Sequence, residues 1–486
     1  METYVRSASP GSTSASLRDT SVLGDIWHSG FLHGFQWAHG SARNIPRGFV
    51  STSDGELRLL FSLAIDWFTA HGGKQAGKKW SIGAIYLVCQ NLPLEIRFRA
   101  ENVCLVGIIP GRTKPLGSAV NWFLRRVVDE FVTFYERGVW YTQTFKFESG
   151  RLVRAAIGPV VCDLDAARGI AGLGSVSHTL FCSLCSATKH QMADFDGTFT
   201  PRCGSIRVGF PLWTFVMNLW TSAVSMDDQA TLWKTYAIRW TELARLRYWN
   251  PFQFLVIDTM HCLFLGLFRR HFRFIWRMDV DTCGWGDEER LDSEAGERIS
   301  AAAAAAEDLD FEPSVKPATG KKKSPSVALG RGVLTAVSKD IQRTVLPDWV
   351  DPAPTQVGNT KHGKLSANHW RSLCTIHCVI TLIRLWGFLK IESFRYSALE
   401  NFLLLVKAVQ LATLRTTTAS RCEAYSSLLN QYLNGLKRLY PTASITPNHH
   451  LATHIPEFLR RFGPPHSWWA FPFERYNGML QKIKTN

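Results

Sequence analysis

The chain has 486 residues, with 55 Lys and Arg against 40 Asp and Glu and a formal net charge of +15. Apolar residues make up 46% and charged residues 20%, which excludes a wholly disordered protein, and the length excludes a single small module. The positive excess concerns partners rather than fold, and nucleic acid is the class it favours over a basic protein with no special partner.

Residues 1–55 read as a partly disordered lead rich in Ser and Gly, with aromatics between Trp27 and Trp37 that would pack on the main body. The start is polar, without the apolar stretch of a secretory signal, so the 11 scattered Cys point to a reducing compartment rather than to disulfides. The longest apolar run, Leu373 to Leu389, is interrupted by His377 and Arg384 and is too short and polar to span a membrane. From Leu57 three short runs follow, LRLLFSLAIDWF, WSIGAIYLVC and ENVCLVGIIPG. Each is rich in β-branched or aromatic residues and bounded by turn formers, and we read them as consecutive strands.

Apolar residues Trp122, Val127, Phe131 and Phe134 recur near helical spacing and predict a helix over about Ala119 to Arg137. The next run predicts a strand ending at Cys162-Asp163, followed by a helix or turn. Three strands, a helix and a strand ending in an acid is the opening order of an RNase H-like α/β fold, a mixed sheet flanked by helices. We divide the chain into a first core part over 56–200, a Trp-rich helical part over 201–279, a flexible low-complexity linker over 280–345, a second helical part over 346–445, and a return to the core over 446–486. Lys321, Lys322 and Lys323 in the linker suit a nuclear-localisation element or, equally, a solvated basic loop.

Three acids stand in apolar surroundings. Asp66 lies inside Ser62-Leu63-Ala64-Ile65-Asp66-Trp67-Phe68, where a carboxylate is costly unless paired or bound to a metal; the plainer reading is a turn cap. Asp163 follows the apolar run Ile157 to Cys162, with Asp165 as a competitor that would cap the next helix. Glu474 lies in WWAFPFERYNG, where an ion pair with Arg475 is the plainer reading. Together the three suggest hard oxygen ligands for two Mg²⁺ or Mn²⁺ ions.

Cys182-Ser-Leu-Cys185 supplies half of a zinc site, and His450-Leu-Ala-Thr-His454 supplies two imidazoles on one helical face, with His449 an alternative to His450. Two buried Cys and two surface His are the plain alternative. Asp258 and His261, three apart on an apolar segment, would share a helical face and suit either a buried polar contact or a site. Lys74, Lys78 and Lys79 follow the first strand and suit contact with a DNA backbone or, equally, a solvated turn between strands, with Arg269 and Arg270 weaker candidates. Trp213, Trp220, Trp233, Trp240 and Trp249 suit core packing better than base stacking.

The blocks FSLAIDWFTAHGGKQAGKKWSIGAIYLVCQNLP, ENVCLVGIIPG, CDLDAARGIAG with FCSLC, LRYWNPFQFLVIDTMHCLFLGLF, KHGKLSANHWRSL and NHHLATHIPEFLRRFGPPHSWWAFPFERYNGMLQKIKTN resemble, in order, the fungal CACTA (En/Spm-type) DDE transposases. The resemblance runs from about residue 57 to the end, outside the linker. It implies an RNase H-like catalytic core interrupted by a large helical insertion, and cut-and-paste transposition by a multimer on DNA in the nucleus. Asp66, Asp163 and Glu474 match the first, second and third acids of the metal-dependent site. Cys182, Cys185, His450 and His454 match the zinc pattern, and Asp258 and His261 match a block without an assigned role. Asp165 occupies the place where relatives usually carry Pro, and two departures stand out: the chain ends twelve residues after Glu474, where relatives usually continue, and no N-terminal zinc finger or other DNA-binding module is evident. They support an alternative expectation, an inactive or truncated descendant that binds DNA or protein.

Overall fold

The computed structural model describes residues 22–31, 35, 37, 56–69, 81–111, 117–195, 209–278, 329–357 and 365–483. The three apolar runs form β1 (Leu57–Thr69), β2 (Ser81–Cys89) and β3 (Val103–Ile109). β1 pairs antiparallel with β2, from Phe61 opposite Cys89 to Thr69 opposite Ser81, and β2 pairs antiparallel with β3. Gly83 faces Trp67 across this ladder, and a Cβ there would lie 2.7 Å from the indole ring. The missing side chain lets Trp67, the neighbour of Asp66, lie flat over β2.

Helix α1 (Asn121–Glu136) buries Leu124, Val128, Phe131 and Tyr135, the three- and four-residue spacing of a one-sided helix. It leads into a hairpin of β4 (Val139–Tyr141), which the apolar pattern does not announce, and β5 (Arg151–Val160). The Arg154 guanidinium donates to the carbonyls of Tyr135 and Glu136 and so caps α1 from the sheet. Because a helix intervenes, β5 returns parallel to β1, giving a five-stranded mixed sheet in the order β3-β2-β1-β5-β4. β4 covers only the start of β5. At its other end, Val160 bridges Leu255 in parallel sense, and the Val256 N–H donates to the Val160 carbonyl at 3.2 Å.

The remaining principal helices are α2 (Leu164–Ile170), α3 (Gly209–Ser222), α4 (Met226–Tyr236), and α5, whose wide π turns cover Met260–Phe268 and His271–Ile275. After them come α6 (Arg331–Arg343) and α7, which runs on through Ala367–Ser372, Leu373–His377 and Cys378–Trp386. The series closes with α8 (Phe394–Ala412), α9 (Ala419–Leu439), α10 (Pro447–Ala452), α11 (Ile455–Phe462) and α12 (Phe471–Leu480). One continuous hydrophobic core joins the sheet to these helices, with Phe272, Trp276, Trp370, Trp386 and Phe402 at its helical end. Among the described residues no helix is long and apolar enough to cross a membrane.

Three expectations need correction. The linker assigned to 280–345 does not extend that far: α6 buries Val337 and Ile341 against the core, and Asp340 pairs with Arg384 of α7 at 2.6 Å. Residues 279–328, with Lys321–Lys323, lie outside the described residues. The Asp258 block, placed by sequence in the helical insertion, instead lies beside β5 at the sheet. Arg270, read as a DNA contact, is buried and donates to the Ser444 carbonyl. Of the five tryptophans weighed for base stacking, Trp213 and Trp249 are core residues.

The lead segment also packs, as its aromatics suggested. Leu23 pairs with Thr417, Trp27 donates to the Gln90 carbonyl at 2.6 Å, and Phe35 and Trp37 are buried. Asp25 accepts two hydrogen bonds from Arg97 (2.9 and 2.8 Å) and one from Ser467 at 2.9 Å. Its Gly463 neighbour, at φ +73°, ends α11 and brings its Cα against the Asp25 carbonyl, where a Cβ would lie 2.8 Å away.

Candidate functional site

Two of the three acids are placed by the parallel pairing of β1 and β5. Leu63 pairs with Val160, so Asp66 and Asp163 each stand three residues beyond a matched pair, on adjacent chains running the same way. The Val161 N–H donates to the Leu63 carbonyl and the Ile65 N–H to the Cys162 sulfur at 3.2 Å, which keeps the two segments together beyond the last pair. In open α/β sheets this end of parallel strands is where ligands bind. Asp163 also caps α2, its Oδ1 accepting from the Ala166 N–H at 2.6 Å. The cap expected of Asp165 is thus made by Asp163, and the second carboxylate oxygen of Asp163 is not needed for it.

The third acid arrives from the far end of the chain. α12 packs on β1, and Glu474 faces His261 across it, with Nε2 3.5 Å from Oε1. Arg475, the alternative partner, instead donates to the Phe98 carbonyl at 2.9 Å. His261 is held from behind by Asp258: Oδ2 lies 2.7 Å from Nδ1 and also accepts the His261 N–H at 2.9 Å, while Oδ1 accepts the Ala470 N–H at 2.8 Å. Asp258 is therefore bonded both to the start of α5 and to the residue preceding α12. A contact with this reach could not be read from the three-residue spacing.

The charges interact. Burial pushes the Asp66 carboxyl up to about 7, with Asp163 and Glu474 adding to the rise and His261 opposing it. Burial disfavours a charged His261, but the Asp258 hydrogen bond and the charges of Asp258, Glu474 and Asp163 outweigh it and lift the imidazole to about 10. The carboxylates around His261 thus favour its charged form. Asp66 carries two donors, the Trp67 N–H on Oδ1 at 2.8 Å and the Asn477 amide on Oδ2 at 2.7 Å. Three carboxylates that lie near enough for two of them to raise the pKa of Asp66 offer the hard oxygens that could hold Mg²⁺ or Mn²⁺.

A second cluster lies where Cys182 and Cys185 meet α10 and its exit. The Cys185 sulfur is 3.2 Å from His450 Nε2, the Cys182 sulfur 3.5 Å from His454 Nε2, and the two Nε2 atoms 3.3 Å apart. All four ligand atoms fall within 4.8 Å of one another. Zn–S bonds of about 2.3 Å and Zn–N bonds of about 2.0 Å in a tetrahedron require ligand separations of about 3.3–3.8 Å, close to these three contacts, so the four residues could hold a zinc ion. The Leu184 and Cys185 N–H groups donate to the Cys182 sulfur, and Glu457 holds His454 Nδ1 at 2.9 Å, as an outer carboxylate does for a metal-bound imidazole. Burial opposes a Cys182 thiolate, yet hydrogen bonds from Cys185, His450 and His454 hold the thiol well below its ordinary range. His449, the alternative ligand, is turned away: its Nδ1 accepts from the Thr446 N–H at 3.0 Å at the start of α10.

Lys74, Lys78 and Lys79 lie outside the described residues. Sequence reasoning missed Asn477 and its partner Tyr86, whose hydroxyl donates to the Asn477 carbonyl oxygen at 2.7 Å. The only local signal was the position of Asn477 one helical turn after Glu474.

Residues 42–198 match the family described as transposase family tnp2. This stretch is about a third of the chain and supports a transposase-like protein. It holds Asp66, Asp163, Cys182 and Cys185, whereas Asp258, His261, His450, His454 and Glu474 lie beyond it. No curated protein matches the chain.

Proposed function

We propose that the chain is a DDE transposase of the CACTA type. In this reading it hydrolyses DNA at the ends of a mobile element and passes the freed 3′-hydroxyl to target DNA. The observation that carries the reading is the meeting of Asp66, on β1, and Asp163, just past the end of the parallel β5, with Glu474 from a helix packed on β1. The sheet order and the parallel Leu255 bridge beyond β5 favour an RNase H-like core whose last strand is reduced to a few residues. The positive charge favours DNA as the partner.

Asp66, Asp163 and Glu474 would hold Mg²⁺ or Mn²⁺, which supplies activation of the attacking hydroxyl and stabilisation of the leaving oxygen. The chain's own groups do the rest. The Trp67 N–H and the Asn477 amide fix the plane of the Asp66 carboxylate. The α2 cap fixes that of Asp163, and His261, oriented by Asp258, meets Glu474 from inside. Cys182, Cys185, His450 and His454 would hold a structural Zn²⁺ that ties the end of the first core part to its return. Action in the nucleus and self-association on paired ends belong to the same reading.

The test is strand cleavage with Mn²⁺ or Mg²⁺ on DNA bearing the ends that flank this gene, with Asp66→Ala as control. Metal-dependent nicking that the variant lacks supports the reading. A folded, DNA-binding chain that never nicks leaves it a repurposed descendant.

A further inference from the structure

The helix that delivers the third acid also grips the first. On α12, Asn477 follows Glu474 by three residues, so both side chains project from one helical face. Its Nδ2 donates to Asp66 Oδ2 at 2.7 Å, across 411 residues of sequence, and its Oδ1 accepts the Tyr86 hydroxyl at 2.7 Å. Tyr86 stands on β2, and its ring stacks on Phe473 of α12 with centroids 5.6 Å apart. Asn477 is 4% and Tyr86 2% exposed, so the Tyr86 bond is buried and the Asp66 bond is shielded on its Asn477 side.

We propose that Asn477, locked by Tyr86, is the positioning residue of Asp66: it fixes which carboxylate oxygen faces the metal and couples the first acid to the placement of the third. The inference rests on the reading of the acids as metal ligands. The chemistry allows one arrangement. Ionised, as a metal ligand must be, the Asp66 carboxylate accepts only, so the amide must present its N–H₂ to Asp66 and its oxygen to Tyr86, and the tyrosine must donate. Burial, Asp66 and Tyr476 all push the Tyr86 phenol upward, which keeps that proton in place. Each Asp66 oxygen then carries one donor and keeps a lone pair for a metal ion. Without the amide, the Asp66 carboxylate keeps only the Trp67 N–H and gains freedom to rotate about its last bond, and the buried Tyr86 hydroxyl loses its acceptor.

The experiment is a Mn²⁺ titration of the full chain, read by the electron paramagnetic resonance of free Mn²⁺, for the wild type, Asp66→Ala, Asn477→Ala, Tyr86→Phe and the Asn477→Ala/Tyr86→Phe pair. Circular dichroism and thermal melting check folding, and Tyr86→Phe keeps the stack on Phe473. Asn477→Ala is expected to weaken Asp66-dependent Mn²⁺ binding by about tenfold or more, the usual effect of removing an outer-shell partner. Tyr86→Phe should weaken it less and add nothing in the Asn477→Ala background, because the hydroxyl acts only through the amide. A purely structural role would make the two effects add. Unchanged Mn²⁺ affinity in both single variants, or additive losses, overturns the inference while leaving the acids as ligands. Mn²⁺ binding that ignores Asp66→Ala overturns the acid reading and this inference with it.

Discussion

The Cys182, Cys185, His450 and His454 cluster makes the most exposed commitment. Cys185→Ala removes one of four ligands, and the Cys185–His450 contact spans 265 residues. A cross-link over a loop of that length removes about 19 cal/mol/K of unfolded-chain entropy, or about 5.5 kcal/mol at 25 °C, by the chain-entropy relation for closed loops. Such a loss is comparable to the whole stability of many domains. We therefore expect the wild-type chain to release one equivalent of zinc to a chromogenic chelator on thiol modification, and Cys185→Ala to release none and to unfold at markedly lower denaturant. Cys104→Ala serves as the control, since that thiol is exposed on β3, away from the cluster. If the wild type, grown with zinc, carries none and Cys185→Ala unfolds at the wild-type midpoint, the four residues are a buried polar cluster and the reasoning fails.

Other expectations follow from particular contacts. Arg97→Leu strands Asp25 in a site where it is 3% exposed, at a cost of about 3–5 kcal/mol, and Asp25→Asn in the same chain should recover part of it in urea unfolding. Burial works to raise the Asp25 carboxyl, but Arg97, Ser467 and the Ile26 N–H outweigh it, so its folded pKa lies below the unfolded 3.8. The stabilisation is then present above pH 3.8 and is lost as pH falls through the folded value, so wild type and Arg97→Leu should converge in stability in acid. Gly83→Ala drives a methyl into the Trp67 ring and should cost about 1–3 kcal/mol of overpacking, with a shift in the tryptophan emission. An unchanged spectrum and midpoint would show that Trp67 does not lie across β2. Asp258→Ala removes the acceptor of both the His261 and Ala470 N–H groups and should cost about 3 kcal/mol, with faster amide exchange at the start of α12.

Local order was legible in the sequence wherever neighbouring residues decide it. The runs Leu57–Thr69, Ser81–Cys89 and Val103–Ile109 are strands because β-branched and aromatic residues fill both faces between turn formers, and Asn121–Glu136 is a helix because its apolar residues keep to one side. Cys182-x-x-Cys185 and His450-x-x-x-His454 could be proposed as partners because each spacing alone presents two ligand atoms to one point. β4 was not legible: three residues carry no period, and pairing with β5 makes them a strand. The helix α6 was hidden beside a low-complexity stretch whose composition resembles that of a linker.

The residue types at the site were therefore set by the sequence, and the way they work together was set by the tertiary structure. Nothing near Asp66 indicates that its second oxygen accepts a hydrogen bond from Asn477, and nothing near His261 indicates Glu474 as its neighbour. Those contacts depend on β5 returning parallel to β1, on the Asp258 segment lying beside β5, and on α12 packing against β1. Helical and strand periods follow from the chain's own geometry over a few residues. Which distant carboxylates, amides and imidazoles meet depends on how whole elements bury their apolar faces against one another, a choice that no short stretch of sequence carries.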